Sequence, residues 1–146
     1  MLTIKNCVLT SPGIEIHIPS GFCLGSDDES LVYNGITVYS QDETYRMVWQ
    51  VSEDEDLSTE EGLQFLLEEM SESDIIQPVT PIVVNGLSGH CVAYTDGRNG
   101  NYEARFSLPD SQQVYFYIIT EQGTEIEDVM KTQEFQTALS AVRKAD

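Results

Sequence analysis

Four strand-like segments follow one another between residues 75 and 120, and this run restricts the fold more than any other feature of the chain. They cover 75–84, 87–95, 101–108 and 113–120. Asn85-Gly86 separates the first two, and Asp-Gly-Arg-Asn-Gly-Asn over 96–101 separates the second from the third. In the third, Tyr102, Ala104, Phe106 and Leu108 alternate with Glu103, Arg105 and Ser107, the period-two pattern of a strand with two unlike faces. The fourth, Val-Tyr-Phe-Tyr-Ile-Ile, is apolar on both faces, which places it inside a sheet covered on both sides. Pro78 and Pro81 cannot donate to a ladder and demote 75–84 to an edge or an approach segment.

Upstream, residues 2–9 and 14–18 read as short strands around the turn Ser11-Pro12-Gly13, with Ile14, Ile16 and Ile18 on one face and Glu15 and His17 on the other. Asn34-Gly35 between Val32-Tyr33 and 36–39 predicts a type I′ hairpin, whose two central residues both need positive φ. Tyr45, Met47, Trp49 and Val51 share one face of a further strand. A helix is expected from Ser58, with Ser58 and Glu61 spaced as a capping box and Leu63, Leu66, Leu67 and Met70 forming its apolar stripe. Towards the C-terminus, Thr124 and Glu127 form a second such box, and Thr132 starts a closing helix with Phe135, Leu139 and Val142 as its stripe. Arg143 and Lys144 fall in the last turn of that helix, where the dipole favours cations. The sum is a single α+β domain. It comprises an antiparallel sheet of about six to eight strands, one mid-chain helix and one or two C-terminal helices packed on it.

At 146 residues the chain is long enough to bury a core without staples. Its 25 acids against seven bases give a net charge of −18. That balance disfavours nucleic acid, whose counterions only cations displace, and it disfavours anionic membrane surfaces. It points to solubility or to a basic protein partner. Cys7, Cys23 and Cys91 are odd in number and irregular in spacing, which suits a reducing compartment better than a disulfide framework. The opening MLTIKNCVLTSPG has neither the basic nor the apolar region of a secretory signal, and no run approaches a membrane span. A cytoplasmic location without membrane insertion is therefore expected.

No constellation carries recognisable chemistry. His90 and Cys91 are adjacent and point to opposite faces of a strand, and no Cys or His pair has zinc spacing. A Cys91 nucleophile activated by His17 and a metal site assembled from Cys7, Cys23, His17 and His90 are weaker readings than core cysteines and ordinary strand histidines. Gly86 to Gly89 is neither a dinucleotide fingerprint nor a P-loop. No catalytic residue, metal or cofactor is expected. The unusual feature is acidic: ten Asp and Glu fall between 53 and 74 with no base among them. Read as a calcium loop from Asp54, the segment has Thr59 and Phe65 where Gly and Glu are needed, so that motif fails. Glu53, Asp54, Glu55, Asp56, Glu60, Glu61, Glu68 and Glu69 are the candidate partner-binding residues, set against the simpler reading of a solvated helix face. The strand aromatics Tyr33, Tyr39, Tyr45, Trp49, Tyr94, Tyr102, Tyr115 and Tyr117 are core residues unless several share an open sheet face.

Three phrases carry a resemblance. Ile18-Pro19-Ser20-Gly21-Phe22 is similar to the P-x-G-F/W opening of PsbP-like domains. Ile82 to Gly89 resembles their V-x-V-N-G-x-x-G/A crossing, and Glu134-Phe135-Gln136 to Val142-Arg143 resembles their last helix. These are packing and turn motifs. The superfamily includes photosystem II extrinsic proteins, a Ran-binding import factor, bacterial lipoproteins and type VI effector chaperones, mostly binding or assembly modules. The resemblance implies that fold and a non-catalytic binding role in a bacterial-type cell, with no catalytic residue to carry over. The alternative is an acidic inhibitor, such as a toxin-immunity protein or a nucleic-acid mimic. An enzyme with an unfamiliar site is the third reading.

Overall fold

The meander expected between 75 and 120 forms, and the other elements are arranged around it. The computed structural model describes residues 3–5, 8–19, 23–24, 35–40, 42–52, 58–69, 74–108 and 112–144. In chain order the described elements are β1 (Thr3–Lys5), β2 (Val8–Ser11), β3 (Ile14–His17), β4 (Cys23–Leu24), β5 (Gly35–Tyr39) and β6 (Tyr45–Ser52). Helix α1 (Glu60–Glu68) precedes β7 (Asp74–Val84), β8 (Leu87–Thr95), β9 (Gly100–Ser107) and β10 (Gln113–Thr120). Helices α2 (Ile126–Met130) and α3 (Gln133–Leu139) and strand β11 (Val142–Lys144) close the chain. The class is α+β, and among the described residues every strand pair is antiparallel.

Two sheets replace the single one expected. The larger has seven strands in the order β4-β5-β6-β10-β9-β8-β7, and the smaller runs β1-β2-β3-β11. β10 lies at the centre of the large sheet, as its two apolar faces require, and β7 lies at its edge. Register shifts between Ile75 and Thr80, beside Pro78, mark β7 as the irregular edge that its prolines imply. The N-terminal segment read as one strand over 2–9 is instead two, with Thr3 to Lys5 folded back against Val8 to Thr10.

Asn85 (φ 48) and Gly86 (φ 85) both take positive φ, so the β7–β8 connection is the I′ hairpin their chemistry favours, with Val84 opposite Leu87. The corresponding expectation at Asn34-Gly35 fails. Gly35 is extended and paired with Gln50 rather than left-handed, while Val32, Tyr33 and Asn34 lie outside the described residues. A Cβ on Gly35 would come 2.8 Å from the Trp49 carbonyl oxygen, so glycine there serves close strand approach and not a turn.

Helix ends also differ from expectation. Thr59, not Ser58, caps α1: its Oγ1 accepts from the Gly62 amide at 3.0 Å. Ser58 is buried, and its carbonyl accepts from His90 Nδ1 at 2.8 Å, which ties the start of the helix to β8. The Thr124–Glu127 box is not made, since Glu125 holds the cap position of α2 without a side-chain bond. Thr132 caps α3 as expected, accepting from Phe135 N at 3.2 Å. α3 ends at Leu139, so Val142, Arg143 and Lys144 belong to strand β11 and not to a last helical turn. Val142 remains a core residue because it pairs opposite Ile16 with its side chain inward, so a strand satisfies the same apolar spacing.

The principal core lies between one face of the large sheet and a layer made of the small sheet, α2 and α3. Leu9, Ile14 and Ile16 share it with Met47, Trp49, Phe116, Ile118, Ile126 and Phe135. Trp49 stacks on Phe116 with ring centroids 5.3 Å apart, and Tyr102 meets Phe135 edge-on at 4.9 Å. Each such pair adds about 0.5–1.5 kcal/mol beyond area burial. A second, smaller cluster of Leu63, Val92 and Tyr94 lies on the opposite face, under α1.

Candidate functional site

Helix α1 exists because Leu63 buries fully against Val92 and Tyr94, with Leu66, Leu67 and Val79 packed around them. That contact turns the other side of the helix outward. Glu60, Glu61, Glu68 and Glu69 are all exposed there, as the amphipathic pattern implies. Met70 and Glu53, Asp54, Glu55 and Asp56 lie outside the described residues. Gln64 Nε2 donates to Glu60 Oε1 at 3.3 Å across one turn.

An apolar feature sits inside this acidic face. Phe65 is 54% exposed and Ile75, at the start of β7, is 49% exposed. Glu61 and Glu69 are one helical turn before and after Phe65, and Glu68 is three residues on, so all three are its neighbours on the helix surface. Between helix and strand, Gln64, Leu67, Glu68 and Ile75 line a shallow, open groove of about 300 Å³, which Phe65 does not line. Sequence reading did not single out Phe65 or Ile75. The signal was present for Phe65, which falls off the stripe of Leu63, Leu66 and Leu67 and has no partner on the helix's buried side. Ile75 lacked one, because its exposure follows from its place near the start of the edge strand β7, opposite Tyr94.

Behind α1 the same sheet face holds a buried polar group. Arg105 donates to Glu103 Oε1 at 2.8 Å, and Tyr94 donates its hydroxyl to Glu103 Oε2 at 3.0 Å. The guanidinium lies 4.0 Å over the Tyr115 ring. Burial and the Glu103 charge together push the Tyr94 phenol far above its ordinary range. A carboxylate held by an arginine and a tyrosine is an acceptor already in use, and its neighbour is not a second acid poised for proton transfer.

The remaining candidates are separated. Cys91 is buried in the core, and burial pushes its thiol up, away from a reactive thiolate. His17 lies on the small sheet with Nε2 3.8 Å from Glu15 Oε1, and His90 is engaged with Ser58. The side chains of Cys7 and Cys23 are outside the described residues. Among the described residues no cluster of three or more His, Cys, Asp or Glu could hold a metal ion. Of the strand aromatics, Tyr45, Trp49, Tyr94, Tyr102 and Tyr115 are buried and Tyr39 and Tyr117 half-buried, while Tyr33 is outside the described residues. The described strands thus present no open aromatic sheet face. Among the described residues no helix is long and apolar enough to cross a membrane.

No family model matches the chain, and no curated protein does. A crystal structure of a Bacteroides thetaiotaomicron VPI-5482 protein is similar over 91% of this chain, with a TM-score of 0.52 and 9% identity. The chain spans 45% of that protein's length. At that identity the likeness concerns the fold alone.

Proposed function

We propose that the chain is a non-catalytic protein-binding or assembly module of PsbP-like type, working through the outer face of α1. The observation that carries the reading is the exposed Phe65 set among Glu61, Glu68 and Glu69 beside the Gln64–Leu67–Ile75 groove. An exposed aromatic with neighbouring carboxylates matches a partner that offers an apolar pocket or side chain flanked by Lys and Arg. The carboxylates would steer encounter and the apolar contact would hold the complex. The PsbP-like part of the reading rests on the sequence phrases around Pro19, Asn85-Gly86 and Phe135, and the mid-chain helix followed by a four-strand meander is consistent with it, whereas the chain closes on two short helices and strand β11.

The same face suits the inhibitor reading, in which the partner is a basic toxin or nuclease whose activity is lost on binding. The charge of −18 and the absence of bases between 53 and 74 favour it.

The test is a tagged pull-down from native lysate at low and at high salt, with wild type, Phe65→Ala and a Glu60→Gln, Glu61→Gln, Glu68→Gln, Glu69→Gln variant. The reading expects one stoichiometric basic partner, weakened by both variants and by salt. A partner captured equally by all three proteins contradicts it. Loss of the partner's own enzymatic activity in the complex selects the inhibitor reading.

A further inference from the structure

A second concave surface lies where α3 gives way to β11, separated in sequence and in sheet from the α1 face. Its volume is about 330 Å³, and its polar lining comprises His17, Gln133, Gln136, Thr137, Ser140 and Arg143. Those residues converge for a simple reason. Phe135, Ala138 and Leu139 turn one side of α3 into the core, so Gln133, Gln136, Thr137 and Ser140 face away from it. On the small sheet, Ile16 and Val142 point inward as a pair, so their neighbours His17 and Arg143 point out. His17 N donates to Ala141 O at 2.9 Å, which locks the two walls together.

The lining of this cleft differs from the acidic α1 face. No carboxylate lines it. Glu15 stands opposite Arg143 in the sheet register, yet its Oε1 is turned to His17 Nε2 at 3.8 Å. Arg143 makes no ion pair among the described residues, in a chain with 25 acids and seven bases. A guanidinium without an ion pair among the described residues thus borders a concave wall of amides and hydroxyls, groups that can all donate hydrogen bonds.

We infer that this cleft binds a small organic carboxylate. The guanidinium fork matches a planar carboxylate with two parallel hydrogen bonds, whereas the amides and hydroxyls suit the polar remainder of a small metabolite. The volume falls in the range of small-molecule sites. The site is independent of the α1 surface and stands or falls without it.

The experiment is a ¹H–¹⁵N correlation titration of the full chain with sodium succinate, run beside inorganic phosphate and beside sodium chloride at matched ionic strength. Succinate is expected to give saturable shifts concentrated at His17 and across residues 133–143. Arg143→Gln should weaken its binding by about tenfold or more, and Arg143→Lys should restore only part, since an ammonium lacks the fork. Glu15→Gln, which removes the neighbouring negative charge, should tighten it. Arg143 is exposed, so these variants leave the core intact. Shifts that chloride reproduces, or an unchanged affinity in Arg143→Gln, overturn the inference. Preference for phosphate through the same residues overturns the carboxylate assignment.

Discussion

Arg105 donates to Glu103 at 2.8 Å from a position two residues along the same strand, with both side chains about nine-tenths buried. The i, i+2 spacing puts the two on one sheet face, and antiparallel pairing brings Tyr115 opposite Arg105 to cover the guanidinium. Removing one member leaves the other charged and dry. Glu103→Ala is therefore expected to cost about 3–5 kcal/mol of stability. Glu103→Leu combined with Arg105→Met should cost distinctly less, because no uncompensated charge is left behind. Urea denaturation of the single and double variants checks both.

Asn85 ties the edge hairpin to the C-terminal segment. Its Nδ2 donates to the carbonyls of Ser140 at 2.8 Å and Val142 at 3.0 Å. Those acceptors hold the chain at the point where α3 stops and β11 begins. Asn85→Gly keeps the left-handed turn but loses both bonds, and should cost about 1–2 kcal/mol. Asn85→Ala should cost more, since it loses the same bonds yet keeps at φ 48 the Cβ that glycine removes, without the polar side chain that makes asparagine tolerant of that conformation. Thermal melts of the two variants separate the bonds from the strain.

Alkaline stability should follow the buried phenols. Burial raises Tyr94 and Tyr102 well above the ordinary value of 10.0, and Glu103 adds to the shift at Tyr94. A phenol raised in the folded state is neutral there while the unfolded chain ionises first. Its contribution to stability is thus complete below about pH 10 and is lost as pH climbs towards the folded pKa. Denaturant midpoints should fall steadily above pH 10, and Tyr94→Phe should flatten that fall. Absorbance at 295 nm should show phenols that ionise only as the protein unfolds.

The charge of −18 makes a general prediction. Self-repulsion should ease as salt rises from about 10 to about 500 mM, so the melting temperature should increase over that range. A flat profile would mean that the charges are too dispersed to repel one another appreciably.

Much of the fold was legible wherever local chemistry and tertiary context agree. The four meander strands, the Asn85-Gly86 turn, the central place of β10 and the edge place of β7 all follow from alternation, turn residues and proline. Asn34-Gly35 carries the same local signal as Asn85-Gly86, but pairing of Gly35 with β6 overrides it. Val142 shows a limit of periodicity: i, i+4, i+7 spacing from Phe135 is met by a helix that stops at Leu139 and a strand that starts three residues on. Division into two sheets was not legible, because it depends on β3 pairing with a strand more than 120 residues away. At the candidate site, the exposure of Glu60, Glu61, Glu68 and Glu69 was readable from the helix pattern. The groove was not, because Ile75 enters it from another element.

The most direct measurement places a photo-crosslinker at Phe65 by substituting p-benzoylphenylalanine, with the same residue at Val83 as a control. Val83 is 71% exposed on β7, so it reports on an open apolar position without the neighbouring α1 carboxylates. Irradiation in native lysate is expected to give one dominant adduct with a basic protein from position 65, suppressed by salt and absent from position 83. Equal labelling from both positions, or an adduct from position 83 alone, would contradict a docking role for the α1 face.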